Sequence, residues 1–171
     1  MTDASSQYID FFFGAPSSVA EIQTIEISQP SFSQVWRLQS SYRNGLTAKL
    51  ETGEQVSFIY VPMRIKPLDE RANLDFGLTV TLGDLGEILP DEIQRARVAG
   101  TLKSNPPIVK YRAYRNDDLE APMFGPVSLQ ARQIARTGEG AKFNATAPEA
   151  NANKTGVLYR SDIFPMLQGF L

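Results

Sequence analysis

The segment that decides the fold class is LDFGLTVTL, residues 74–82, in which five large apolar side chains alternate with Asp, Gly, Thr and Thr. A period of two places alternate side chains on opposite faces of an extended chain. One face of this segment is therefore apolar and the other polar, as in an antiparallel strand that covers a core on one side only. We predict a half-buried antiparallel strand here.

Further short segments with strand character lie on both sides of it. They are Val19–Ser28, Gln34–Gln39, Leu46–Leu50, Gln55–Val61, Ile108–Arg115, Pro126–Arg136 and Ala141–Thr146. Glu51-Thr52-Gly53-Glu54 between the third and fourth of these predicts a hairpin turn with Gly at the tight position. Seven or eight short strands separated by Gly, Pro and Asn predict an all-β sandwich or barrel.

One helix interrupts the strands, from about residue 90 to 99. Pro90 suits the first helical position, acidic residues follow it, and basic residues lie near the other end, where they complement the helix dipole. Gly100 ends the helix. The predicted fold class is therefore mainly β (α+β), with one helix flanking a β-sandwich or barrel.

Both ends of the chain are unusually apolar. Residues 5–14 predict a short helix whose three consecutive phenylalanines span about 200° of the helical wheel, so they cannot all face one core. At the other end, burying six apolar side chains within residues 163–171 yields about 9–18 kcal/mol. Fixing nine backbone residues costs about as much. Such an arm orders only against a preformed groove, on its own domain or on a neighbouring subunit.

These patterns divide the chain into three parts. Residues 1–18 form an apolar N-terminal helix or arm, 19–147 the β-sandwich domain with its helix at about 90–99, and 148–171 a linker and an extended apolar C-terminal arm. Nine apolar side chains in the two arms are candidate subunit contacts: Phe11, Phe12, Phe13, Ile163, Phe164, Met166, Leu167, Phe170 and Leu171.

The composition restricts the chemistry. The 171 residues include neither His nor Cys, and the net charge is −2. The lack of these side chains excludes Ser-His-Asp and Cys-His catalysis, HExxH zinc sites and thiolate ligands. The start resembles no signal peptide, and no apolar run is long enough to cross a membrane. We expect no enzyme activity, no metal or cofactor, no membrane insertion, and a protein made in a cytoplasm.

Weaker candidates for chemistry each have a simpler interpretation. Asp117-Asp118-Leu119-Glu120 lacks the spacing of a calcium loop and is typical of a solvated turn. Thr137-Gly138-Glu139-Gly140 opens no helix, so a β-turn is favoured over a phosphate loop. In Ile108–Arg115, alternation places Tyr111 inward and Arg112 and Tyr114 outward, which makes at most a weak patch for nucleic acid.

Two other function classes stay open. One is a monomeric binding module for carbohydrate or a surface receptor, with aromatic platforms drawn from Trp36, Tyr42, Tyr60 and Tyr114. The other is a glycosidase that uses two carboxylates from Asp75, Asp84, Glu87, Asp91 and Glu92. An exposed aromatic groove would favour the first, and two facing carboxylates would favour the second.

The order of several segments resembles a known family. They are IEISQPSFS (25–33), Leu46–Val61, Leu74–Asp84, IVKYRAYRNDDL (108–119) with Ala121-Pro122, and Tyr159 followed by Ile163-Phe164-Pro165. Together they span most of the chain and are similar to minor tail proteins at the tail tip of long-tailed bacteriophages. The similarity is to an uncharacterised type encoded downstream of the tape-measure protein.

The resemblance implies a structural protein of the virion. It implies a tail-tube-like β-sandwich or barrel, assembled in the host cytoplasm into a homo-oligomeric ring of expected six-fold symmetry. The ring would join the distal tail tube to the hub or fibre proteins, with the tape-measure protein as a further candidate partner. DNA would pass through the ring without specific binding.

Overall fold

The computed structural model of the chain describes residues 9, 11–14, 18–68, 77–83, 88–137 and 140–147. This part is mainly β, and residues 9 and 11–14 are helical. The strands are β1 (Glu21–Ser28), β2 (Trp36–Gln39), β3 (Leu46–Lys49), β4 (Gln55–Tyr60), β5 (Met63–Pro67), β6 (Gly77–Leu82), β7 (Ile108–Arg115), β8 (Phe124–Thr137) and β9 (Gly140–Thr146). Helix α1 (Ile88–Val98) lies between β6 and β7.

The nine strands form one open sheet in the order β3-β4-β2-β1-β7-β8-β9-β6-β5. Every neighbouring pair is antiparallel except β2 and β4, which run parallel. The decisive segment supplies β6, which pairs antiparallel with β5 on one side and with β9 on the other. The predicted antiparallel strand is confirmed over residues 77–82, while residues 74–76 lie outside the described part of the chain.

A two-residue link shows that the sheet is strongly curled. Val61 and Pro62 alone join β4, second in the sheet, to β5, which is ninth. In a flat sheet these strands would lie about 34 Å apart, whereas the link spans at most about 11 Å. Val61 N donates to Gln39 O (2.8 Å) beside β2, and Gly83 N after β6 donates to Pro62 O (2.7 Å). The link therefore forms hydrogen bonds next to strands from both ends of the sheet order, which the curl brings close together.

The curl encloses the larger of two apolar clusters, the inner core. It draws on β1, β2, β6, β7, β8, β9 and α1, so strands that are far apart in the sheet order pack together. Its buried members are Ile25, Ile27, Leu38, Val61, Leu78, Val80, Leu82, Ile93, Val109, Tyr111, Leu129, Ala131, Ala141, Phe143 and Ala145.

The second cluster, the outer core, lies on the opposite face of the sheet. There the β3–β4 hairpin packs over the outer side of β1 and β7. The buried members are Ile22, Leu46, Ala48, Leu50, Val56, Phe58 and Tyr114. Both faces of β1 and β7 are consequently covered. Arg112 and Tyr114 lie on the outer face, opposite Tyr111, as predicted, but the expected solvent exposure is wrong, because the hairpin buries both side chains.

Helix α1 ends as its sequence predicts. Thr101 N donates to Ala96 O (3.1 Å) and Gly100 N to Arg97 O (3.0 Å), while Gly100 has a φ of 71°. This is the Schellman arrangement, which requires a residue that tolerates positive φ. Ile93 on the same helix joins the inner core. Within the described ranges, no helix combines the length and apolar character needed to span a bilayer.

Candidate assembly surface

The described N-terminal residues carry the first part of the predicted interface. Phe13 is 89% exposed and Phe12 59%, while Phe11 is half-buried with its ring 5.4 Å from that of Phe12 at an angle of 87°. These residues are helical, as predicted, and two of the three phenyl rings face solvent. The other predicted contacts, Ile163, Phe164, Met166, Leu167, Phe170 and Leu171, lie outside the described residues.

A second exposed surface lies on the outside of the sheet, where the hairpin does not cover it. Two rows of paired residues cross β5, β6, β9 and β8 there. In the first row Arg64 pairs with Thr81, and Thr81 pairs with Lys142. In the second row Lys66 pairs with Thr79, Thr79 pairs with Asn144, and Asn144 pairs with Arg132, which is the member on β8. Their chain neighbours, such as Ile65, Val80 and Phe143, pack in or against the inner core, so these rows face outward.

We call Arg64, Lys66, Arg132 and Lys142 the basic face. The first two and Lys142 are exposed, and Arg132 is half-buried. The strands β5, β6, β8 and β9 contain no Asp or Glu. Sequence reasoning missed this surface, since its cations come from three strands that only the sheet order brings together. The sequence carried one signal for these cations, because each lies at a polar position of a segment in which apolar and polar residues alternate.

An acidic edge lies at the other end of the molecule, where the β3–β4 turn meets the loop after β7. Lys49 N donates to Leu119 O (2.9 Å), which holds the two loops side by side. The carboxylates of the acidic edge are Glu51, Glu54, Asp117, Asp118 and Glu120. They exceed the three cations that pair with them, Lys49, Arg112 and Arg115.

The predicted solvated turn at Asp117–Glu120 lies in this edge. Arg115 donates to both oxygens of Asp117, from Nε at 2.9 Å and Nη2 at 2.7 Å. Asp118 Oδ1 accepts from Glu120 N (3.0 Å), and Glu120 pairs with Lys49. These side chains serve the turn and its ion pairs. Across the described ranges, no group of three or more acidic side chains is arranged to hold a metal ion.

A buried ion-pair network connects the hairpin to the sheet. Arg112, 1% exposed, donates to Glu51 from Nε (2.8 Å) and Nη2 (3.0 Å), and from Nη1 to Glu26 Oε2 (3.4 Å). Arg37 Nε also donates to Glu26 (3.2 Å), and Lys110 Nζ lies 3.9 Å from it. This pattern of bonds positions the hairpin turn over β1 and β7.

The electrostatics of this network indicate a structural role. The hydrogen bond from Arg112 lowers the pKa of Glu51 below its usual value. Burial acts to lower the pKa of Arg112, but the hydrogen bond to Glu51 and the charges of Glu26 and Glu51 outweigh it and raise that pKa. Burial raises the pKa of Tyr114 to about 12. All three groups keep one charge state around neutral pH, so none is tuned for proton transfer.

The aromatic residues of the binding-module hypothesis do not share an exposed surface. Tyr114 is buried and its hydroxyl donates to Lys49 O (2.9 Å). Trp36 is half-buried against the inner core, with its Nε1 buried and without a hydrogen-bond partner in the described part of the chain. Tyr60 is half-buried, and only Tyr42 of the four is exposed.

The carboxylates of the glycosidase hypothesis are not brought together either. Asp75, Asp84 and Glu87 lie outside the described residues. Asp91 is exposed at the first turn of α1. Glu92 is buried and accepts from the backbone N of Ser33 (2.8 Å) and from its hydroxyl. Glu92 therefore fastens the loop after β1 to the helix.

The other weak candidates have structural places too. Thr137 pairs with Gly140, which confirms a tight hairpin between β8 and β9. A surface groove of about 460 Å³ lies between the loops that follow β1 and precede β7, beside Ile108. Its lining contains no acidic or basic side chain.

Comparison with known proteins gives a family but no activity. No curated protein matches the chain. A family model described as "Domain of unknown function (DUF1833)" matches residues 11–138. The match covers about three quarters of the chain, from the N-terminal phenylalanines through β8, and so includes both the exposed phenyl rings and most of the curled sheet. The chain therefore belongs to the DUF1833 family.

Proposed function

We propose that this protein is a structural, non-enzymatic subunit of the tail tip of a long-tailed phage. In this role it forms a ring that joins the distal tail tube to the hub and fibre proteins around the DNA channel. The observation that carries the proposal is the exposure of Phe12 and Phe13. Full burial of an exposed Phe side chain is worth about 1.5–3 kcal/mol, and a contact with another chain would supply most of this for Phe13 and part of it for Phe12.

The fold supports this role. The proposal includes a tail-tube-like β-sandwich or barrel with α1 as its flanking helix. The curled sheet and the Val61–Pro62 link, which bonds to both of its ends, support such a shape. Curled sheets present a continuous outer surface to neighbouring copies, and a ring of copies uses two different surfaces of each. We expect six copies, with the C-terminal arm docked on a neighbour.

The side-chain chemistry also supports a structural role. The sequence contains no His or Cys. The strongest charge cluster, around Arg112, keeps its ordinary charge state at neutral pH and ties the hairpin to the sheet. In this proposal the protein acts in the virion after assembly in the host cytoplasm, and DNA passes it without specific contact.

The test is assembly, measured by sedimentation velocity and by negative-stain electron microscopy. We expect rings from the purified protein, alone or after addition of the tail-tube and hub proteins encoded beside it. Phe12→Ser with Phe13→Ser should leave the fold intact and reduce assembly. The matched control is Val98→Ser, an exposed apolar residue on α1. A wild-type protein that stays monomeric and binds neither tail protein would contradict the proposal.

A further inference from the structure

We propose that the basic face of one subunit docks on the acidic edge of a second copy of the same chain. This inference rests on the proposed function, because it names the interface through which copies would assemble. The occupant is argued from charge complementarity. Arg64, Lys66, Arg132 and Lys142 form one pole, and the carboxylates around Glu54 and Asp118 form the other.

The basic face is dense for a chain whose net charge is −2. Neighbouring strands lie about 4.8 Å apart and alternate residues about 7 Å apart along a strand. The four cations therefore fall within a patch of roughly 14 by 7 Å. Arg64, Lys66 and Lys142 form no ion pair with the described residues, and their strands hold no carboxylate. The charges of Arg64, Lys66 and Lys142 are thus available to another molecule.

The acidic edge is too far away to neutralise this face within one subunit. Arg132 lies two residues beyond Gln130, which pairs with Ile108, and Arg115 lies seven residues from Ile108 in the opposite direction. Nine residues of strand correspond to about 30 Å. This separation is nearly four times the screening length of about 8 Å at physiological ionic strength. On the other side of the curl, Glu54 lies seven residues of β4, about 23 Å, from Val61 at the link to β5, so we assign contact between the poles to a second copy.

Such a placement generates a directional assembly. Because the surface that gives the contact differs from the one that receives it, successive copies associate head to tail. That geometry closes into a ring or extends into a filament. The poles would thus set the order and orientation of subunits, while the phenylalanines add apolar area.

Nucleic acid fits the basic face less well. The outward positions between its cations are Thr79, Thr81 and Asn144, and Thr79 donates to Asn144 Oδ1 at 3.1 Å. They offer no aromatic ring for base stacking, on which single-strand binding relies. The face also lies on the outside of a curl rather than in a groove. A protein surface that bears carboxylates is the better partner.

The decisive experiment exchanges the charges of the two poles. One variant carries Arg64→Glu and Lys66→Glu, and the other carries Glu54→Lys and Glu120→Lys. All four side chains are exposed. Each variant alone should self-associate about 100-fold or more weakly than wild type in sedimentation velocity, because the first leaves the face without net positive charge and the second sets cations against cations. An equimolar mixture should recover wild-type assembly, since each variant complements the other.

The matched control is Arg43→Glu with Lys103→Glu, the same charge change at two exposed positions that belong to neither pole. It should assemble as wild type does. Circular dichroism and urea midpoints establish that every variant is folded. Wild-type assembly should also weaken as salt rises, because exposed charges are screened.

The outcomes separate the inference from the function on which it rests. If wild type forms rings that tolerate the Arg64 and Lys66 reversal, or the mixture fails to recover, this interface is wrong while the ring stands. If the reversal abolishes binding of duplex or single-stranded DNA and leaves assembly unchanged, the face serves nucleic acid and the inference is wrong. If wild type never assembles on itself or on tail proteins, both proposals fall.

Discussion

At the scale of single residues, Arg112 has the largest expected effect on stability. Its guanidinium is almost fully buried and pairs with both Glu51 and Glu26. Arg112→Ala leaves Glu26, which is also buried, with fewer partners. We expect the free energy of unfolding to fall by about 3 kcal/mol, the lower end of the cost of removing one partner of a buried ion pair, because Arg37 and Lys110 still face Glu26. Urea denaturation followed by Trp36 fluorescence measures it.

Arg115 provides the control for this change. It makes a similar two-pronged contact, with Asp117, but in a solvent-exposed turn. Exposed ion pairs contribute little, because water and salt screen them. Arg115→Ala should therefore leave the urea midpoint close to the wild-type value. Equal losses in the two variants would show that burial of Arg112 is not what makes its pairs matter.

Acid should weaken the fold through Glu51. Its pKa is lowered in the folded protein relative to the ordinary value of 4.5. Its contribution to stability is therefore complete above the unfolded-state pKa and is lost as pH falls through the lower folded-state pKa. We expect the urea midpoint of wild type to drop on acidification below about pH 4.5. Glu51→Gln should start lower and drop less steeply. Parallel pH profiles would contradict this assignment.

At the scale of elements, Gly140 at the start of β9 is a steric constraint. Its φ is 123°, and a Cβ there would lie 1.9 Å from Leu82 O at the end of β6. Gly140→Ala must therefore displace one of two paired strands as well as strain the backbone. We expect a loss in unfolding free energy of more than about 1–3 kcal/mol, the usual cost of backbone strain alone. Thermal or urea unfolding tests this.

A substitution at Gly100 separates the cost of backbone strain from the cost of the steric clash. Gly100 also has a positive φ, 71°, but a Cβ there would meet nothing within 4 Å. Gly100→Ala should cost about 1–2 kcal/mol, the penalty for a left-handed conformation without a clash. A larger loss for Gly100→Ala than for Gly140→Ala would contradict the steric argument.

Local sequence patterns predicted some of the strands correctly and missed others. Alternation identified β6 and β7 because each has an apolar face toward the inner core. It assigned Arg112 and Tyr114 to the correct face but did not predict their burial, because the hairpin that covers them comes from about 60 residues earlier in the chain. Strand β5 was missed because two prolines bound its Arg- and Lys-containing segment. Only pairing with β6 makes that segment a strand.

The same limit applies to the candidate surfaces. Helical geometry predicted only that the three phenyl rings cannot all face one core, and the structure then shows that Phe12 and Phe13 are the exposed ones. The basic face did not follow, because Arg64 and Lys142 become neighbours only through the shared partner Thr81 on β6. Sheet order is set by tertiary packing, which a single segment does not encode.

At the scale of the whole molecule, we expect the domain to fold without its C-terminal arm. Residues 22–145 supply both cores of the described part. Truncation after Ser161 should therefore change the urea midpoint little and abolish ring assembly in sedimentation velocity. A product that fails to fold would show instead that the arm belongs to the core of its own subunit.

The pairing of β1 with β7 has a consequence during synthesis. Thr24 bonds to Arg112, 88 residues later in the chain. At about 5–20 residues per second, β1 leaves the ribosome roughly 4–18 s before its partner strand exists. Through that interval Ile25 and Ile27 have no β7 to cover them. Their protection by a chaperone, or their burial in a transient cluster, then decides how much of the nascent chain escapes aggregation.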